Sequence, residues 1–89
     1  MNNDIVLICD DNISVHKSLE GYLRERNIEP LSAFSGEEAL RILRTQEVNL
    51  VILDVMLPQM SGIDVLREIC RSWEVGVIML SAKTARSTV

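Results

Sequence analysis

The residues best suited to chemistry in this 89-residue chain are three aspartates and a serine: the adjacent Asp10 and Asp11, then Asp54, then Ser81. Each stands at the end of a short apolar run. Carboxylates crowded together either raise one another's pKa or recruit a cation, and oxygen ligands on loops suit Mg2+. A carboxylate can also attack phosphorus and form an acyl phosphate, once the incoming negative charge is neutralised. A nearby hydroxyl such as Ser81 can then donate to a phosphoryl oxygen, and its movement converts a chemical event into a loop rearrangement. Singly, each of these residues reads as an ordinary turn former or cap. Their joint placement at strand ends favours a site.

The elements that must position them follow from the patterning. Ile5 to Cys9 and Asn49 to Leu53 are nearly continuous apolar runs, as in strands buried on both faces. A weaker strand covers Glu29 to Ala33, where Pro30 has no N–H for a ladder and so favours an edge or a strand start. A fourth runs from Val75 to Leu80. Val15, Leu19, Tyr22 and Leu23 recur at helical spacing, with His16, Lys17, Glu20 and Arg24 opposite, in a helix that ends near Asn27. Ser35 and Glu38 have capping-box spacing, and Ala39, Leu40 and Leu43 face a second helix inward. After a loop marked by Pro58 and Gly62, Ser61 caps a third helix whose inward stripe is Ile63, Leu66, Ile69 and Cys70. Strands alternating with helices predict an α/β fold with a parallel sheet, and such sheets bind ligands at the carboxyl ends of their strands. If the first and third strands are neighbours, their tips lie about 4.8 Å apart, and Asp10, Asp11 and Asp54 share one pocket.

Composition narrows the function classes. With 47% hydrophobic and 25% charged residues the chain reads as one globular domain over residues 1–89. A net charge of −4 argues against direct nucleic-acid binding by this segment. No apolar run reaches the ~18 residues needed to span a bilayer, and the start lacks the features of a signal peptide, so a cytoplasmic location is expected. Cys9 and Cys70 lack metal or redox spacing and read as reduced, buried thiols. His16 reads as a surface histidine without ligand partners, Met56 and Met60 as gap-filling side chains, and Trp73 as the anchor of the third helix.

The acidic pair, the stretch Ile52-Leu53-Asp54-Val55-Met56-Leu57-Pro58-Gln59-Met60-Ser61-Gly62, and Ser81-Ala82 together resemble the receiver domain of bacterial two-component response regulators. The likeness runs from Ile5 to Lys83. It implies a CheY-like, flavodoxin-like doubly wound sheet of order 2-1-3-4-5. It further implies that Asp54 accepts a phosphoryl group from a sensor histidine kinase. Mg2+ would be held directly by Asp11, Asp54 and the backbone carbonyl of Met56, with Asp10 acting mainly through a coordinated water. Ser81 would be the switch hydroxyl. The Asp54 loop is similar to that of DNA-binding transcriptional regulators.

Two family features are expected to be missing: the fifth-strand Lys that meets the phosphoryl group, and the aromatic switch residue on that strand. Lys83 falls in the loop after strand four and does not take that place. A partial sheet of order 2-1-3-4, lacking strand five and helices four and five, should leave strand four an apolar edge. The chain should then form a homodimer through that edge or through an uncovered sheet face. The main expectation is a phosphoacceptor signalling domain rather than a turnover enzyme. The alternative is a phosphorylation-incompetent dimerisation or kinase-docking module. A phosphohydrolase with an Asp nucleophile fits poorly, because it usually spaces two first-strand Asp residues by one.

Overall fold

Apolar runs of five residues bounded by turn formers are too short for helices and become strands. The computed structural model describes residues 4–57 and 59–80. In chain order it contains β1 (Ile5–Cys9), α1 (Ile13–Arg24), β2 (Glu29–Ala33), α2 (Gly36–Thr45), β3 (Leu50–Asp54), α3 (Gly62–Ser72) and β4 (Gly76–Leu80). The strands form one parallel sheet of order β2-β1-β3-β4, the doubly wound arrangement read from the sequence.

Because side chains alternate across a strand, the sheet divides its apolar residues between two faces. Val6, Ile8 and Ile52 meet Leu23 of α1 on one face. Leu7, Cys9, Val51 and Leu53 pack on the other against Ala39, Leu40 and Leu43 of α2 and Val65 and Ile69 of α3. Leu7, Ile8 and Leu53 are fully buried, each contributing about 1.5–3 kcal/mol relative to exposure. Among the described residues no helix is long and apolar enough to cross a membrane.

β4 starts at Gly76 rather than Val75, and both ends of β3 fall one residue later than the patterning predicts. Asn49 precedes β3 because it clamps the start of β1: its Oδ1 accepts from the Ile5 N–H at 2.7 Å and its own N–H donates to the Ile5 carbonyl at 2.8 Å. At the other end, Asp54 pairs with Leu80 and belongs to β3 itself. Pro30 sits in β2, an edge strand among the described residues. The Glu29 N–H donates to Asp4 at 2.8 Å, so alternation turns the N of Pro30 outward.

The helices also turn differently from expectation. α1 stops at Arg24, and Asn27 adopts φ 61°, a left-handed conformation that Asn tolerates. Tyr22 is 54% exposed rather than inward, with the Arg26 guanidinium 3.7 Å from its ring centre. In α3 the buried residues are Gly62, Val65 and Ile69, while Ile63 is 43% exposed and Cys70 is exposed. The helix is rolled toward α2, where a Cβ on Gly36 would strike the Val65 side chain. Trp73 caps the end of α3 and packs half-buried against the core, as expected.

The two cysteines therefore differ. Burial, with the negative charges of Asp10, Asp54 and Glu38 adding to it, pushes the Cys9 thiol up to about 12, which keeps it protonated and inert at neutral pH. A disulfide-exchange reagent should modify Cys70 rapidly in the native chain and Cys9 only after denaturation. Rapid modification of both native thiols would show that Cys9 is not enclosed.

Candidate functional site at the carboxyl ends of the strands

The register sets the site. Cys9 lies opposite Leu53, so Asp10 leaves β1 beside the end of β3, where Asp54 stands. Asp10, Asp11 and Asp54 each offer a carboxylate oxygen, and these oxygens lie within 4.8 Å of one another. With Asn12, Val15, Met56 and Leu80 they line an open cleft of about 440 Å3, and the lining contains no Lys or Arg among the described residues. A larger hollow of about 510 Å3 at the opposite end of the sheet brings together Arg44, Glu47, Asn49 and Trp73. It gathers no such cluster.

Local hydrogen bonds aim the carboxylates. Asp10 Oδ1 accepts from the Asn12 N–H at 2.9 Å, and Asn12 in turn caps α1 by accepting from the Ser14 N–H at 2.8 Å. Asp54 Oδ1 accepts from the Met56 N–H at 3.0 Å, a turn that starts the following loop. Each of these two carboxylates thus commits one oxygen to its own turn. The loop after Asp54 closes where the Gly62 N–H donates to the Val55 carbonyl at 3.0 Å. A Cβ at Gly62 would collide with the backbone of Asp54 and Val55, so this position admits only glycine without a shift of the β3 tip. α2 is capped by Ser35, whose Oγ accepts from the Glu38 N–H, while Glu38 reaches back to the Phe34 N–H rather than to that of Ser35.

The structure brings together Asp10, Asp11, Asp54 and Met56 from the expected set. Ser81, Lys83 and Pro58 lie outside the described residues. His16 is a correction: it is 1% exposed, not a surface residue. Its Nε2 donates to the Asp10 carbonyl at 2.7 Å, and its Nδ1 meets the Ser32 Oγ at 2.9 Å. The signal was present in the spacing, since His16, Leu19, Glu20 and Leu23 follow i, i+3, i+4, i+7. A ring bonded at both nitrogens leaves neither of them unpaired, which lets His16 take the inward face of α1.

Burial raises the Asp10 carboxyl above its ordinary value of 3.8. The hydrogen bond from Asn12 opposes this, the charges of Asp54 and Asp11 add to it, and His16 opposes it. A carboxyl held above its unfolded value binds its proton more tightly in the fold, so its contribution to stability is present at low pH and lost as pH rises through the folded value. Asp10→Asn should therefore raise the thermal midpoint of the metal-free chain at neutral pH, with the gain shrinking as pH falls toward 3.8. A midpoint at or below that of the wild type at neutral pH would refute this.

Comparison with known proteins agrees with the architecture. The family model described as the response regulator receiver domain matches residues 6–89. The probable transcriptional regulator ycf27 of Cyanophora paradoxa is 39% identical over 82 residues, covering 92% of this chain and 34% of that protein. The transcriptional regulatory protein AfsQ1 of Streptomyces coelicolor is 36% identical over 78 residues, covering 88% of this chain and 35% of its own length. The chain thus spans about a third of the curated relatives it matches. Among solved structures, response regulator TrrA of Thermotoga maritima, in complex with Mg2+-BeF, superimposes with a TM-score of 0.83 at 33% identity, covering 97% of this chain and 76% of that one. A receiver protein from Pseudomonas putida gives 0.84 at 29% identity, covering 99% and 78%. With the sheet order, the strand-end aspartates and the family match in agreement, the chain belongs to the response regulator receiver domains of two-component systems.

Proposed function

We propose that Asp54 is the phosphoacceptor of this domain, receiving a phosphoryl group from a sensor histidine kinase with Mg2+ as cofactor. The observation that carries this reading is the convergence of Asp10, Asp11 and Asp54 at the carboxyl end of the sheet. The donor set fits Mg2+: it is all oxygen, from three carboxylates whose oxygens lie within 4.8 Å of one another, and no Lys or Arg is among the described lining residues. Asp11, Asp54 and the Met56 carbonyl would hold the ion directly, with Asp10 acting through water. When bound, the ion neutralises charge on the transferring phosphoryl oxygens.

The protein's own part is nucleophilic. One Asp54 carboxylate oxygen forms a bond to phosphorus as the P–N bond to the kinase histidine breaks, and the electron pair leaves on the imidazole nitrogen. The turn from the Met56 N–H orients the Asp54 carboxylate by one oxygen and leaves the other to react. Ser81, next after β4 in sequence, is assigned the switch hydroxyl by the family resemblance. The phosphoryl group stays on the protein, so the chain is a signalling intermediate rather than a turnover enzyme. A cytoplasmic setting and a transcriptional output belong to the same reading, the latter supported by the names of the relatives.

Incubation with Mg2+ and a small acyl phosphate should add one phosphoryl group by intact mass, and Asp54→Asn should abolish it. An unmodified wild type would favour the alternative of a docking or dimerising module. A specific observation bears on that module too: Ile78 of β4 is 48% exposed, and β4 has β3 as its one strand neighbour among the described residues. Self-association through this apolar edge or its sheet face follows as an expectation. Light scattering that gives a folded monomer at micromolar concentration would overturn it.

A further inference from the structure

Asp10 is fixed through its backbone as well as its carboxylate. Its N–H donates to the Ala33 carbonyl at 3.1 Å, and its carbonyl accepts from His16 Nε2 at 2.7 Å. That carbonyl belongs to the planar peptide joining Asp10 to Asp11, so holding it constrains the backbone from which two of the three carboxylates project.

His16 is itself held on three sides. Its Nδ1 meets the Ser32 Oγ at 2.9 Å, and Ser32 donates to Glu20 Oε2 at 3.0 Å. Its ring lies against that of Phe34, with centroids 4.2 Å apart. The chain of contacts therefore runs from Glu20 on α1 through Ser32 on β2 and back to His16, ending at the tip of β1. A leucine would fill much the same space, yet this position carries a buried polar ring with both nitrogens bonded. Core packing does not require that chemistry, whereas aiming a peptide group does.

We propose that His16 is a positioning residue for the acidic site. By donating to the Asp10 carbonyl it sets the plane of the Asp10–Asp11 peptide, and through it the affinity of the carboxylates for Mg2+. The inference rests on the Mg2+-dependent reading above. Groups that orient ligands from behind typically change metal affinity by about 10–100-fold when removed.

Titration of the whole chain with MgCl2, followed by amide NMR shifts at Asp10, Asp11 and Asp54, tests this. His16→Leu should weaken Mg2+ binding about tenfold. His16→Gln, whose amide can donate from the place of Nε2, should restore most of it. Ser32→Ala, which removes the partner of Nδ1, should weaken binding by less than His16→Leu. Thermal midpoints measured alongside separate positioning from packing: lowered midpoints with unchanged Mg2+ affinity in His16→Leu overturn the inference. Should that variant not fold, unchanged affinity in Ser32→Ala overturns it instead. A wild type that binds no Mg2+ would refute the proposed function and this inference together, whereas equal binding by the wild type and His16→Leu would refute the inference alone.

Discussion

Parallel pairing of β1 with β3 brings mutually repelling carboxylates to one end of the sheet, and the local structure there is organised around that repulsion. The pairing is driven by apolar burial, since Leu7, Ile8, Val51 and Leu53 are sealed between helices on both faces. Once that core forms in this register, Asp10 and Asp54 emerge side by side. Two responses are visible. Backbone N–H groups of Asn12 and Met56 donate to the carboxylates, and Asp11 stays exposed to water. Burial, to which the neighbouring charges add, raises the Asp10 carboxyl above its ordinary value. A bound cation would act on the same imbalance from outside.

The path from sequence to fold was shortest where burial alone decides. β1 follows its apolar, β-branched run residue for residue, β2 takes the bounds expected of the weaker strand, and Ser35 and Ser61 cap the helices their positions suggested. The strand-end aspartates were legible because parallel-sheet topology fixes where strand ends meet. Features that depend on how one element rolls against another were not legible. Tyr22 and Cys70 have apolar character and helical spacing, but the actual contact faces of α1 and α3 lie elsewhere, set by Leu23 and by the close approach of Val65 to Gly36.

Polar groups depart from the pattern for a related reason. Periodicity sorts residues by affinity for water, and so places His16 at the surface and Asn49 in the strand. In the fold His16 satisfies both ring nitrogens inside the protein, and Asn49 spends its side chain on the backbone of β1. Pattern alone does not pair these groups: the partners of His16, Asp10 and Ser32, lie 6 and 16 residues away, and Ile5 lies 44 residues from Asn49.

Pro30 has a consequence for assembly. Its N faces away from β1, so the outer rim of β2 is short of a hydrogen-bond donor where another strand would need one. The two rims of the described sheet are therefore unequal. Strand addition at the β2 rim meets that missing donor, so the described sheet resists open-ended growth on this side.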